Sequence, residues 1–213
     1  MVSQRRWMLG AAVVLLPLST GCNLISLPYV LFGPEPTEKV QAEFSHLKGK
    51  RVVVLVWAEQ ATLYEYPHVQ VEVAGYVHYH LKEQIKPLDI VPPSQVKRYM
   101  QSHPDWATEH PGRIGRHFKA DIAMMIELME FTTREPGSPN LFRGRARAGI
   151  TVYDLTGDQE LPKGIALKPA EAVYPSDRPI GVLRADDRQI RAETYHELGR
   201  TVARKFYDHE VKR

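Results

Sequence analysis

One thiol stands alone among 213 residues, Cys22, and the residues before it narrow what it can do. Arg5 and Arg6 put positive charge near the start, Trp7 to Leu18 is an apolar run of 12 residues, and Ser19-Thr20-Gly21 bring small side chains up to the sulfur. That run falls short of the ~20 residues a bilayer-spanning helix needs, and the pattern is that of a cleaved export leader. An exported chain with a single cysteine has no internal disulfide partner, and its free thiol would pair with others in an oxidising compartment. Acylation of the sulfur removes that hazard and turns Cys22 into a membrane anchor.

The step Ser19-Thr20-Gly21-Cys22 resembles a lipobox, where a peptidase cuts before a cysteine that already carries a diacylglycerol. Ser19 stands where Leu, Val or Ile is commoner. Ser19 and Gly21 also suit an ordinary secretory peptidase, so a soluble secreted product stays open beside the lipidated one. Arg5-Arg6-Trp7-Met8-Leu9 partly resembles a twin-arginine signal, which leaves two export routes. By resemblance to known lipoproteins, Asn23 rather than Asp after the cysteine is compatible with the outer membrane, and the expected placement is there, with the polypeptide facing the periplasm. Each buried methylene of such an anchor contributes about 0.8 kcal/mol, so two chains hold firmly where one binds marginally.

A second group with chemical potential is Arg143, Arg145 and Arg147, at alternate positions of a strand-like run. In a strand all three face one way while Ala146, Ala148, Ile150 and Val152 face the other. Such a stripe could dock an anionic partner: an acidic protein, a lipid headgroup or a cell-wall polymer. A register that sets Glu130 opposite Arg147 would absorb part of the charge, leaving a solvated face instead.

Other constellations fail on spacing. His196-Glu197-Leu198-Gly199-Arg200 begins like a helical zinc motif but carries Arg200 in the second ligand position. His78 and His80 are two residues apart, which on a helix turns them about 200° from each other. No Gly-x-Ser-x-Gly, Walker loop or dinucleotide glycine pattern occurs, so no catalytic residue, metal or cofactor is expected. The chain holds 28 basic and 25 acidic residues; losing Arg5 and Arg6 with the leader leaves about +1, too little long-range attraction to expect a nucleic-acid partner.

The elements that must position these groups follow from hydropathy. Residues 1–21 read as leader, 22–50 as anchor and tether, and 51–213 as one α/β domain, large enough for a sizeable core. Leu24 to Phe32 form an apolar patch broken by Pro28, and Thr37 to Lys50 is polar. Val52 to Trp57 is a continuous apolar run, the mark of a strand buried on both faces. After Pro67, Val69, Val73, Val77, Leu81 and Ile85 recur every four residues, which predicts a helix ended by Pro87. Leu88 to Val91 reads as a short strand, Ser94 as the cap of a helix through Tyr99, and Ile114 to Lys119 as a third helix. Asp121–Arg134 and Phe142–Leu155 read as an antiparallel hairpin joined by Glu135 to Asn140. A strand within Ile165–Tyr174 follows, and Ile190, Tyr195, Leu198, Val202 and Phe206 mark a closing helix started by Asp186-Asp187. The expected fold class is α/β (α+β), with a mixed, mainly antiparallel sheet and helices packed against it.

This order, together with Ala120-Asp121-Ile122 and Ile150-Thr151-Val152-Tyr153-Asp154-Leu155-Thr156-Gly157, resembles the periplasmic lipoproteins grouped around curli-secretion and penicillin-binding-protein-activator lipoproteins. Their core is similar to the N-terminal domain of the translocation protein TolB. The likeness covers about residues 50 to 209 and includes no pore-forming segment. It implies a non-enzymatic module that binds another envelope protein or builds an assembly, without fixing the partner. Two other classes stay open on the residues alone: a periplasmic hydrolase with an unrecognised site, and a carrier of a small envelope ligand.

Overall fold

The computed structural model describes residues 37–212, and Lys39–Val211 form one compact unit. Cys22, the leader before it and the apolar patch after it lie outside the described residues. Within them no helix is long and apolar enough to cross a membrane.

The chain runs β1 (Thr37–Val40), β2 (Arg51–Ala58), α1 (Gln60–Glu65), α2 (Val69–Gln84), β3 (Asp89–Ile90), α3 (Pro93–Ser102), a 3-10 turn (Trp106–Thr108) and α4 (Pro111–His117). It continues through β4 (Ile122–Glu135), β5 (Ser138–Asp154), β6 (Ile165–Tyr174), β7 (Ile180–Gly181), α5 (Asp187–Ala203) and β8 (His209–Lys212). The main sheet has the order β3-β2-β4-β5-β6, with β7 on β5, and β1 pairs with β8 in a separate two-stranded sheet. β2 runs parallel to β3 and β4, whereas β4, β5, β6 and β7 pair antiparallel. This is the mixed, mainly antiparallel α+β sheet that the hydropathy pattern predicts.

The unbroken apolar run of β2 has a direct cause, since the strand feeds two cores. Val52, Val54 and Val56 join Val73 and Val77 of α2 and Leu198 and Val202 of α5 on one face. Val53 and Leu55 join Val96 of α3, Trp106 and Ile114 of α4 on the other. The four-residue repeat of α2 is fully buried at Val69, Val73, Val77 and Leu81. Asp186 starts α5 as expected, its carboxylate accepting the Gln189 N–H at 2.8 Å.

Three local expectations are corrected. The stretch before Lys50 is no tether throughout: Phe44 and Leu47 are buried in the core, and the Lys205 carbonyl accepts the Glu43 and Phe44 N–H groups. Two apolar residues in a polar stretch suffice to pull it onto the domain. Ser94 does not cap α3, which opens on Pro93 behind Pro92 with no side-chain cap; proline at the first turn has no N–H to satisfy. The hairpin loop is shorter than its turn-forming residues suggest. β4 reaches Glu135 and β5 begins at Ser138, leaving Pro136-Gly137, with Gly137 in the left-handed region at φ 74°. The Arg134 guanidinium lies 4.1 Å from the Phe142 ring centre and helps close that end.

Candidate functional site

The arginine stripe forms as its spacing demands. Phe142, Gly144, Ala146 and Ala148 turn inward along β5, and Arg143, Arg145 and Arg147 share the opposite face. The register sets Glu130 of β4 opposite Arg147 and Glu171 of β6 on its other side. Arg147 Nε is 3.4 Å from the Glu171 carboxylate. Arg145 donates to both oxygens of Glu135 at 3.0 and 3.2 Å. Arg143 Nη1 stands 4.0 Å from the same Glu135, while its Nη2 donates to the Ser176 carbonyl at 2.9 Å. Carboxylates thus flank all three cations, and the face is of mixed sign rather than a uniform cationic strip.

Cover over this face changes along the sheet. At the β2–β4 end it is sealed by α3 and α4, with Val53, Leu55 and Ala123 completely buried. Toward β5 and β6 the same face is open, exposing Glu127, Glu130, Arg147, Glu171 and Val173, with Met129 beside them at a bulge and 59% exposed.

The histidines diverge as helical spacing requires. His78 and His80 both lie on α2, but His80 is 6% exposed and meets His196 of α5, the ring centroids 4.6 Å apart. Burial holds His80 below its ordinary pKa, and the neighbouring His196 pushes the same way. His78 is lowered too, by burial and then by Lys82. Arg200, in the position a zinc ligand would need, pairs with Glu197. Among the described residues no three of His, Cys, Asp and Glu gather as a metal site.

One serine and histidine pair escapes sequence reading. Ser102 Oγ lies 3.0 Å from His103 Nδ1, at the end of α3. The hydroxyl also donates to the Arg98 and Tyr99 carbonyls at 3.1 and 3.0 Å, so its proton is committed to the helix end and the pair lacks the geometry of an activated nucleophile. Tyr99 stacks on His103 at 4.1 Å and donates to Glu109 at 2.8 Å. Burial, then that acceptor, push the Tyr99 hydroxyl up to about 12.

A cleft also missed by the sequence lies beside β2. β3 pairs only through Asp89 and Ile90, so the β2 edge beyond Val52 has no strand along it. Pro92 and Pro93 are the reason, because proline cannot donate to a ladder and turns the chain directly into α3. Val54, Val56, Ala74, Val96, Met100 and Trp106 line this half-open gap of about 230 Å³. Gln70 at one side donates to the Val56 carbonyl at 2.9 Å, and Lys97 reaches the cleft from α3. The two consecutive prolines were the available signal for a truncated strand and a bare edge.

The fold and these features define a mixed α+β domain with one half-open sheet face and an edge cleft. No known protein family matches the chain, and no curated protein does. Among solved structures it is similar to the PelC dodecamer from Paraburkholderia phytofirmans, at 11% identity over 81% of this chain and 98% of that chain, with a TM-score of 0.43. It is also similar to lipoprotein GNA1162 from Neisseria meningitidis, at 12% identity over 66% and 89% of the two chains, TM-score 0.40. The hypothetical protein CT253 from Chlamydia trachomatis follows at 17% identity, 74% and 95% coverage and TM-score 0.43. Likeness at these levels carries no inference about what this chain binds or does.

Proposed function

We propose that the chain is an exported lipoprotein of the cell envelope, anchored through Cys22, whose domain has a non-enzymatic interaction or assembly role at the periplasmic side of the outer membrane. The leader and the lone thiol support the anchor. The element order from β2 to α5 supports the finer kinship with the curli-secretion and penicillin-binding-protein-activator lipoproteins. The partner on this reading is another envelope protein or a cell-wall component.

The observation that carries the interaction role is the half-open sheet face. Its cover stops where Arg147, Glu171, Met129 and Val173 begin, and alternating charges with apolar residues among them suit a macromolecular contact better than a reaction. Contact is made by the face and not by the β6 edge, which is guarded: Pro169 removes one donor there, and the Glu43 carboxylate accepts the Lys168 N–H at 2.8 Å.

Affinity capture from detergent-solubilised membranes, with mass measurement of the mature N-terminus, tests both parts. The expected result is a diacylated cysteine at the first position and a co-purifying envelope component that is lost when Arg143, Arg145 and Arg147 are all changed to Gln. Recovery from the aqueous fraction with a free thiol would overturn the anchor. Unchanged capture by the triple variant would overturn the docking face.

A further inference from the structure

Beyond that reading, and independent of lipidation at Cys22, we infer that the cleft beside β2 is a binding site for a small apolar monocarboxylate. Three observations converge. Apolar groups make a little over half of the accessible lining, chiefly Met100 of α3 and Trp106 over a floor of Val54 and Val56 of β2. The volume of about 230 Å³ equals the bulk share of about eight waters, which suits a ligand of about ten heavy atoms rather than a lipid with two chains. The polar side chains are Gln70, Lys97 and Gln101, and none of them carries negative charge.

Those polar groups are unequal. The Gln70 amide is already committed, donating to the Val56 carbonyl and blocking the bare strand edge from a further strand at that point. Lys97 lines the cleft half-buried and has no ion pair among the described residues, whereas the more deeply buried Lys205 is 3.0 Å from Glu43. No carboxylate lines the cleft. A bound carboxylate would take the Lys97 ammonium as a charge-assisted partner while its apolar body covers Trp106 and Met100, the arrangement of an apolar pocket with a few placed polar groups.

The test uses membranes from cells expressing the full chain. An eight-carbon carboxylic acid bearing a terminal diazirine is added, irradiated, and its adducts are located by peptide mass spectrometry. Adducts are expected within Val96–Trp106 or Val54–Val56, competed by octanoate and not by octylamine. Lys97→Gln should cut labelling about ten-fold, the value of one lost charge-assisted bond of about 1.5 kcal/mol. Lys97→Arg should hold labelling within about two-fold, since the cation is kept. Lys97 is at the surface of α3, so both variants are expected to fold, checked by circular dichroism. Equal labelling by the matching diazirine alcohol, or adducts only outside the cleft, would overturn the assignment.

Discussion

The His80 ring of α2 meets the His196 ring of α5 edge to face, centroids 4.6 Å apart, where the two longest of the described helices pack on each other. His80 is buried and its Nε2 has no hydrogen-bond partner among the described residues, so protonation there must place charge in a poorly solvated site beside a second imidazole and near Arg200.

Acid sensitivity follows from that contact. The folded-state pKa of His80 lies below the ordinary 6.5 of the unfolded chain, so its stabilising contribution is complete above that value and is lost as the pH falls through the folded value. Glu83 and the His196 backbone oppose this shift without reversing it. Urea unfolding between about pH 7 and about pH 5 should show a falling midpoint, and His80→Leu should flatten the decline, with His78 supplying the remainder. An unchanged slope in the variant would remove His80 as the cause.

A second acid-dependent contact lies at the start of the domain. Burial alone would push the Glu43 carboxyl up, but the Lys168 N–H and the Lys205 ammonium hold it below its ordinary range. Its contribution is therefore present above the unfolded carboxyl pKa and is lost as the pH falls through the lowered folded value. Lys205 is only 10% exposed along its side chain, so Glu43→Ala strands a buried ammonium. The expected loss is about 1 to 2 kcal/mol by urea unfolding at neutral pH. The loss should shrink as the pH falls below the ordinary carboxylate range and Glu43 becomes protonated.

Two helix glycines predict opposite outcomes for one substitution. A Cβ on Gly199 of α5 would stand 2.7 Å from Tyr76 Cβ and 2.8 Å from the Tyr76 backbone carbon of α2, and backbone cannot step aside. Gly199→Ala is expected to lose about 1 to 3 kcal/mol through overpacking, despite the better helix propensity of alanine. Gly75 of α2 has nothing within 4 Å of an added Cβ. Gly75→Ala should gain up to about 1 kcal/mol from propensity alone. Thermal unfolding of the two variants side by side reads the difference in sign.

Glu135 tests the charge balance of the open face. It serves Arg143 and Arg145 together, so Glu135→Gln frees two guanidinium groups without touching the core. Stability should change by less than about 1 kcal/mol, as for partly exposed pairs. Retention on an immobilised anionic partner should rise with this variant and fall with the triple arginine change; equal retention by both would show that the stripe is not the contact.

Much of the architecture was legible because it depends on local period and composition. The four-residue spacing of Val69, Val73, Val77 and Leu81 can be satisfied only by a helix with one buried stripe, and alternation along Arg143 to Val152 only by a strand with one buried face. The Glu130–Arg147 register was foreseen as a condition, since strand length and turn position narrow the pairing before any contact is seen.

What tertiary structure alone decided is which of these groups meet. Phe44 and Leu47 look like parts of a tether until the domain offers them a core, and His80 is an ordinary helical histidine until α5 brings His196 against it. The cleft exists because β3 stops at Ile90 while β2 runs on to Ala58, a mismatch between strands separated by two helices. Local sequence fixes the conformation of each segment through sterics and side-chain period. The neighbours of a buried face depend on chain return over long separations, where the favourable energy arises only once distant segments have closed upon one another.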